Sequence, residues 1–255
     1  MSQLRRYLEA GTSRVTEQAM LHGKANNILV VNEYPKSGGT WIAKMIASLV
    51  DRPFTDNRMS IPRSAVVMRT HWDPTELTNG VYVVRDGRDV MVSLFHHRCR
   101  RALQDPQVAQ QVNSVYPFEI DVDKIGEQLS QFIEVEMTTR TAGSPLSWPA
   151  HVSAGLKNKG LQLVRYEDML IDAPSALQTL GDALLGSAIV TPERAQAVAT
   201  LYDRRNALSA THGMGRSAIR SASAGEWRDT FSQEATEVFN RYCGETLREL
   251  GYETT

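Results

Sequence analysis

Residues 34–41 read Tyr34-Pro35-Lys36-Ser37-Gly38-Gly39-Thr40-Trp41 and follow directly on the apolar run Ile28-Leu29-Val30-Val31. An apolar, β-branched run that breaks into a glycine-containing turn, with helix-compatible sequence after it (Ile42 to Val50), predicts strand, turn and helix in that order. Such a turn points consecutive backbone N–H groups outward at a helix N-terminus, which suits a phosphate. Its lysine precedes the glycines, whereas the common nucleotide loop places it after them. The octet therefore reads as a phosphate site and argues against an ordinary ATP or GTP loop.

Outward from the octet, short apolar runs predict strands at 28–32, 65–69, 81–84 and 161–165. Near-continuous apolar runs suit parallel strands buried on both faces. Helical patterns at 40–50, 87–103, 123–140 and 174–186 alternate with them. The prediction is an α/β fold: a doubly wound, mostly parallel sheet with helices on both faces and a P-loop-like phosphate loop after the first strand. One domain is expected over 1–255, with residues 1–26 as an N-terminal helical cap. Gln104-Asp105-Pro106 and Tyr116-Pro117 break the pattern, so 101–122 reads as an irregular surface segment. The Gly-, Ser- and Ala-rich stretch 205–224 reads as a long loop.

Bulk composition narrows the partners. The chain has 255 residues, 42% hydrophobic and 22% charged, with net charge −1. That balance supplies no whole-molecule field for nucleic acid or a membrane surface, so an anion site must draw on local cations. Two cysteines, Cys99 and Cys243, make no disulfide framework. No apolar run reaches the ~20 residues that span a bilayer, and the N-terminus shows no apolar signal core. A cytoplasmic location is expected. No cluster has metal-ligand spacing, and none is expected to hold a metal; His96-His97 reads as the continuation of a helix.

Doubly wound sheets bind ligands beyond the carboxyl ends of their strands. Lys36, Arg69, Arg85, Arg88 and Arg220 fall in segments at that edge or in the late loop. Arg85 ends a strand and Ser93 lies two turns into the next helix, so a guanidinium and a hydroxyl can reach one anion. The run Arg98, Arg100, Arg101 reads as a solvated helix face.

With these residues in place, the chain resembles the cytosolic sulfotransferases. The octet is similar to their 5′-phosphosulfate loop, YPKSGTTW. Arg85 to Val90, with Ser93, resembles their 3′-phosphate motif. Ser147-Trp148-Pro149-Ala150-His151-Val152 resembles S-W-x-x-H-V, Tyr166-Glu167-Asp168-Met169 resembles the F-Y-E-D-M strand end, and Arg220 to Trp227 is similar to R-K-G-x-x-G-D-W. The motifs keep the family order over residues 28–98 and 144–231.

The resemblance implies a donor, 3′-phosphoadenosine-5′-phosphosulfate (PAPS), and transfer of its sulfuryl group to a small molecule bearing a hydroxyl, or an amine. It implies contacts to the 5′-phosphosulfate from Lys36, Ser37, Gly38, Gly39 and Thr40, and adenine packing on Trp41 with Tyr166 near it. Arg85, Ser93 and Arg220 match the 3′-phosphate ligands, with Ser221 and Ala222 beside them. His71, in Arg69-Thr70-His71, matches the catalytic base, and Arg69 lies near the transferring group. The catalytic set is Lys36, Arg69, His71 and Ser93. The implied partners exclude nucleic acid, and the chain is a monomer or a homodimer.

Three departures stand out. Gly39 replaces the first threonine of the pair, removing a hydroxyl. Ser221 and Ala222 replace Lys-Gly, removing a cation. Gln233 replaces the valine of the family's dimerisation stretch. The segment between Trp41 and His71 is short, and 99–143 matches no family segment; both are expected to shape the acceptor site. Two other readings stay open: a P-loop small-molecule kinase, and a non-catalytic nucleotide-binding module.

Overall fold

The computed structural model describes residues 20–21, 27–56, 65–139, 143–186, 189–203 and 223–253. Five strands, β1 (Ile28–Glu33), β2 (Phe54–Asp56), β3 (Val66–Thr70), β4 (Gly80–Val84) and β5 (Leu161–Arg165), form one sheet in the order β2-β3-β1-β4-β5. Every pairing is parallel. Around the sheet lie α1 (Gly39–Leu49), α2 (Gly87–Gln104), α3 (Pro106–Asn113), a 3₁₀ turn (Val122–Lys124), α4 (Ile125–Thr139), α5 (Trp148–Lys157), α6 (Tyr166–Ile171), α7 (Ala173–Leu185), α8 (Pro192–Leu201), α9 (Trp227–Thr230) and α10 (Gln233–Glu249).

The apolar runs are continuous because each central strand feeds two cores. Side chains alternate along a strand. Ile28, Val30, Met68, Tyr82 and Val84 therefore pack on one face with residues of α2, α4, α5 and α10. Leu29, Val31, Val67, Val81 and Val83 pack on the other with α1, α6, α7 and α8. The doubly wound expectation holds. β5 departs from the fully buried pattern: it is an edge strand, and its Leu163 is 49% exposed.

Register sets the functional edge. Asn32 pairs with Thr70 on one side and Tyr82 on the other, Glu33 with Val83, and Val84 with Arg165. Tyr34, His71, Arg85 and Tyr166 consequently leave the sheet side by side. β1 and β4 are neighbours whose onward connections lead to opposite sides of the sheet, so the crevice between their carboxyl ends is the topological switch point.

One expectation needs correction. Pro106 does not end structure; it begins α3 at its first position, behind Asp105, whose carboxylate accepts from the Gln107 N–H at 2.8 Å. Proline is tolerated there because a first-turn N–H has no intrahelical partner anyway. The strand β2 went unread because three residues carry no periodicity. Of the expected N-terminal cap, Met20 and Leu21 are helical and Met20 is fully buried; the rest of 1–26 lies outside the described residues, as does most of 205–224. No helix among the described residues is long and apolar enough to cross a membrane.

Candidate active site

The phosphate loop is wound by two left-handed residues, Lys36 at φ 78° and Gly38 at φ 94°. Ser37 N–H closes the turn onto the Tyr34 carbonyl at 3.1 Å, and the Trp41 and Ile42 N–H groups return to the Gly38 carbonyl. The N-cap residue of α1 is Gly38, which has no side chain to offer its first turn. Among the described residues, the backbone N–H groups of Lys36, Gly38 and Thr40 carry no hydrogen bond. Amides left unpaired at a helix N-terminus, with the helix dipole behind them, are the chemistry of an anion site. Gly38 is required twice: its φ is left-handed, and a Cβ there would overlap the Tyr166 ring.

Tyr166 is the floor on which the site residues meet. Fully buried, it lies under the Arg85 guanidinium at 4.4 Å and edge-on to Trp41, whose ring centroid is 5.9 Å away. The Trp41 indole N–H donates to the Tyr202 carbonyl at 2.9 Å. Arg85 donates to the Lys36 carbonyl at 3.3 Å and the Ser223 carbonyl at 3.4 Å. It thereby joins the phosphate loop to the C-terminal segment. Ser93 is half-buried on α2, the helix that follows Arg85.

Asp89 explains why the motif after Arg85 travels with the late Gly-x-Trp. Its buried carboxylate accepts from the N–H of Gly225 at 2.7 Å and of Trp227 at 3.0 Å, and lies 3.6 Å from Arg85. Arg88 is not an anion ligand. It is buried, forms a two-pronged ion pair with Asp86 at 2.8 and 3.0 Å, and stacks 3.6 Å from the centre of the Trp227 ring. Its place in the motif is structural.

At the end of β3, His71 is held in one tautomer. Its Nδ1 lies 3.1 Å from the Glu33 carbonyl, which can only accept, so Nδ1 carries the proton. Its Nε2 lies 2.7 Å from the Arg69 guanidinium, which can only donate, so Nε2 presents the lone pair. The neighbouring backbone is pinned from below: the Trp72 carbonyl accepts from Asn32 at 3.0 Å and from His151 Nε2 at 3.1 Å. His151 is fully buried, and burial lowers its pKa to about 4, so it is neutral; its Nδ1 accepts a hydrogen bond from the Tyr82 hydroxyl at 2.9 Å. Trp148 and His151 are both fully buried, which makes packing their role here.

Lys36 adds an ammonium to the guanidinium groups of Arg69 and Arg85. Burial, opposed by Glu33 and reinforced by Arg100, Arg85 and Arg69, lowers its pKa to about 8. It remains an ammonium at neutral pH but sits close to titration. The basic run on α2 is only partly solvated: Arg98 lies 3.6 Å from buried Glu136, and Arg100 hydrogen-bonds His97 Nδ1 at 3.1 Å. Burial and the nearby Lys36 lower the His97 pKa to about 3, which keeps that ring neutral.

Sequence reasoning missed Glu33. This last residue of β1 is buried, and its carboxylate accepts from the Gly39 N–H and from Arg69 at 3.2 Å. The sequence held only a partial signal: an acidic residue stands between the apolar run Ile28–Val31 and the phosphate loop. The structure thus brings Lys36, Arg69, His71 and Arg85 together through Glu33 and the loop, and Gly38, Trp41 and Arg85 together on Tyr166. Arg220, Ser221 and Ala222 lie outside the described residues.

Comparison with known proteins is consistent with this geometry. The family model described as the sulfotransferase domain matches residues 57–251, a span that begins after the phosphate loop. Among curated proteins, none matches the sequence at a significant level. Among solved structures, mouse sulfotransferase SULT7A1 complexed with PAP is similar at TM-score 0.66 and 18% identity, covering 93% of this chain and 91% of that one. Retinol dehydratase in complex with androsterone and inactive cofactor PAP is similar at TM-score 0.60 and 16% identity, over 89% of this chain and 82% of that one. The same enzyme with retinol and PAP gives TM-score 0.59 and 17% identity, over 89% and 83%.

Proposed function

The chain belongs to the sulfotransferase domain family, and on that premise we propose that it moves the sulfuryl group of PAPS to the hydroxyl of a small-molecule acceptor. The observation that carries the reading is the fixed tautomer of His71, whose Nε2 lone pair meets Arg69, a residue tied through the Glu33 carboxylate to Gly39 of the phosphate loop. Its neighbours' co-crystallised PAP, the product of such a donor, agrees with it.

The donor's phosphosulfate lies on the open amides of the loop, with Lys36 beside it, and the 3′-phosphate faces Arg85 and Ser93, with Arg220 as a further ligand. The adenine packs at Trp41 and Tyr166. The acceptor hydroxyl displaces Arg69 from His71 Nε2 and gives its proton to that nitrogen as its oxygen attacks sulfur. The bond from sulfur to the bridging phosphate oxygen breaks, and the electron pair stays on the phosphate. Lys36 meets that charge, while Arg69 turns to the sulfuryl oxygens. Catalysis of this kind is mostly positioning and charge stabilisation, as in phosphoryl transfer. A positioned base supplies roughly 10²–10⁴-fold. We assign the acceptor side to residues 99–143, and the small number of residues between Trp41 and His71 favours bulky alcohols and glycosides as acceptors.

The test is transfer of labelled sulfate from PAPS over a panel of phenols, steroids, sugars and lipid alcohols. Wild-type chain sulfates at least one class. His71→Ala binds PAP as before and loses most transfer; unchanged turnover in that variant removes His71 from the mechanism.

A further inference from the structure

Glu33 occupies the space of a missing side chain. A Cβ on Gly39 would overlap the Glu33 carboxylate, so position 39 accommodates glycine because residue 33 fills its place. The same carboxylate accepts from the Gly39 N–H, bonds Arg69 at 3.2 Å, and lies 3.8 Å from His71 Nδ1, while the Glu33 carbonyl holds the Nδ1 proton. One residue therefore touches the phosphate loop, the cation over the base, and the base itself.

We propose that Glu33 is the positioning residue of this active site and that it and Gly39 form a coupled pair. The inference rests on the sulfotransferase reading and goes beyond it. Arg69 places a positive charge against the lone pair that must accept a proton. An uncompensated cation there would oppose protonation of the ring. Glu33 neutralises that cation, and it stands within ion-pair range of the imidazolium that forms when the acceptor proton arrives. A buried carboxylate beside a histidine favours the charged ring. Through Gly39, the same group fixes the start of α1 relative to His71, which aligns the donor's sulfur with the base. The lost threonine hydroxyl is thus exchanged for a carboxylate that links the two halves of the site.

The experiment uses the full-length chain and the panel acceptor that the wild type sulfates fastest. Glu33→Gln keeps size and removes charge. Its kcat falls about tenfold or more, within the range seen when a base's supporting group is lost. The KM for PAPS and the affinity for PAP stay within about threefold. The acid limb of the kcat profile moves down by about one pH unit, because an opposite charge at this range is worth one to three pKa units. A purely structural role would not move that limb. Gly39→Ala alone lowers the melting temperature and PAP affinity, whereas Glu33→Ala/Gly39→Ala is no worse than Glu33→Ala alone, a non-additivity expected only of residues in contact. Unchanged kcat and acid limb in Glu33→Gln, or equal cost of Gly39→Ala in both backgrounds, overturns the proposal. A wild type that sulfates no acceptor and binds no PAP instead overturns the sulfotransferase reading; the Gly39 and Glu33 melting cycle still decides the coupling.

Discussion

The Arg69 guanidinium meets His71 Nε2 at 2.7 Å, so a cation covers the lone pair assigned to the acceptor proton. On the proposed mechanism Arg69 has a second position, on the sulfuryl oxygens. Arg69→Ala exposes the base but removes charge stabilisation. A single transition-state donor is commonly worth about 10²–10³-fold in kcat. Steady-state kinetics should show a fall of that order with PAP affinity little changed, and Arg69→Lys should recover part of it. A variant as fast as wild type would confine Arg69 to a structural role.

Lys36 gives the site a basic pH limit. Burial lowers its folded pKa to about 8 from an ordinary value near 10.5. Between those values the folded, unliganded chain binds fewer protons than the unfolded chain, so this group makes apo stability rise with pH across that window. A bound phosphate restores the ammonium, so PAP binding takes up a proton and weakens as pH rises above about 8. Calorimetry in buffers of different ionisation enthalpy should show that uptake. Lys36→Met should abolish it and flatten the decline; an unchanged decline would place the titrating group elsewhere.

Much of this was legible in the sequence, for physical reasons that vary along the chain. β1 and the octet could be read because the stretch Ile28–Val31, buried on both faces, is apolar throughout, and because Gly38 must adopt a left-handed φ against Tyr166. Lys36, His71 and Arg85 followed from their places at strand ends. α3 was hidden because the same proline breaks a helix interior and opens a helix start. The helix α10 was unread, although its amphipathic face carries Val238, Phe239, Cys243 and Leu247 into the core. Glu33 was missed because its contact with Arg69 arises from the register of β1 on β3 and its contact with Gly39 from the winding of the loop, neither of which the sequence displays. Arg88 was misread because a buried ion pair under Trp227 looks, in sequence, like any exposed cation.

Asp89 should act as the latch of the C-terminal segment. It holds two backbone N–H groups and pairs with Arg85 while fully buried. Asp89→Ala leaves those donors without their acceptor, and each buried unsatisfied group costs about 1–3 kcal/mol. A loss of several degrees in melting temperature should accompany weaker PAP binding, since Arg85 loses its anchor. A stability loss with PAP affinity intact would separate the latch from the 3′-phosphate site.

The most direct test of the central claim needs no acceptor. The chain is titrated with PAP and, separately, with ATP and Mg²⁺ at equal concentrations, and its melting temperature is read. A ligand at a hundredfold its Kd stabilises the native state by about 2.7 kcal/mol, or roughly 5–10 °C for a domain of this size. PAP should produce a shift of that order and ATP with Mg²⁺ a much smaller one. No shift with PAP, or a larger one with ATP and Mg²⁺, would contradict a PAPS-dependent sulfotransferase and favour the kinase reading of the same loop.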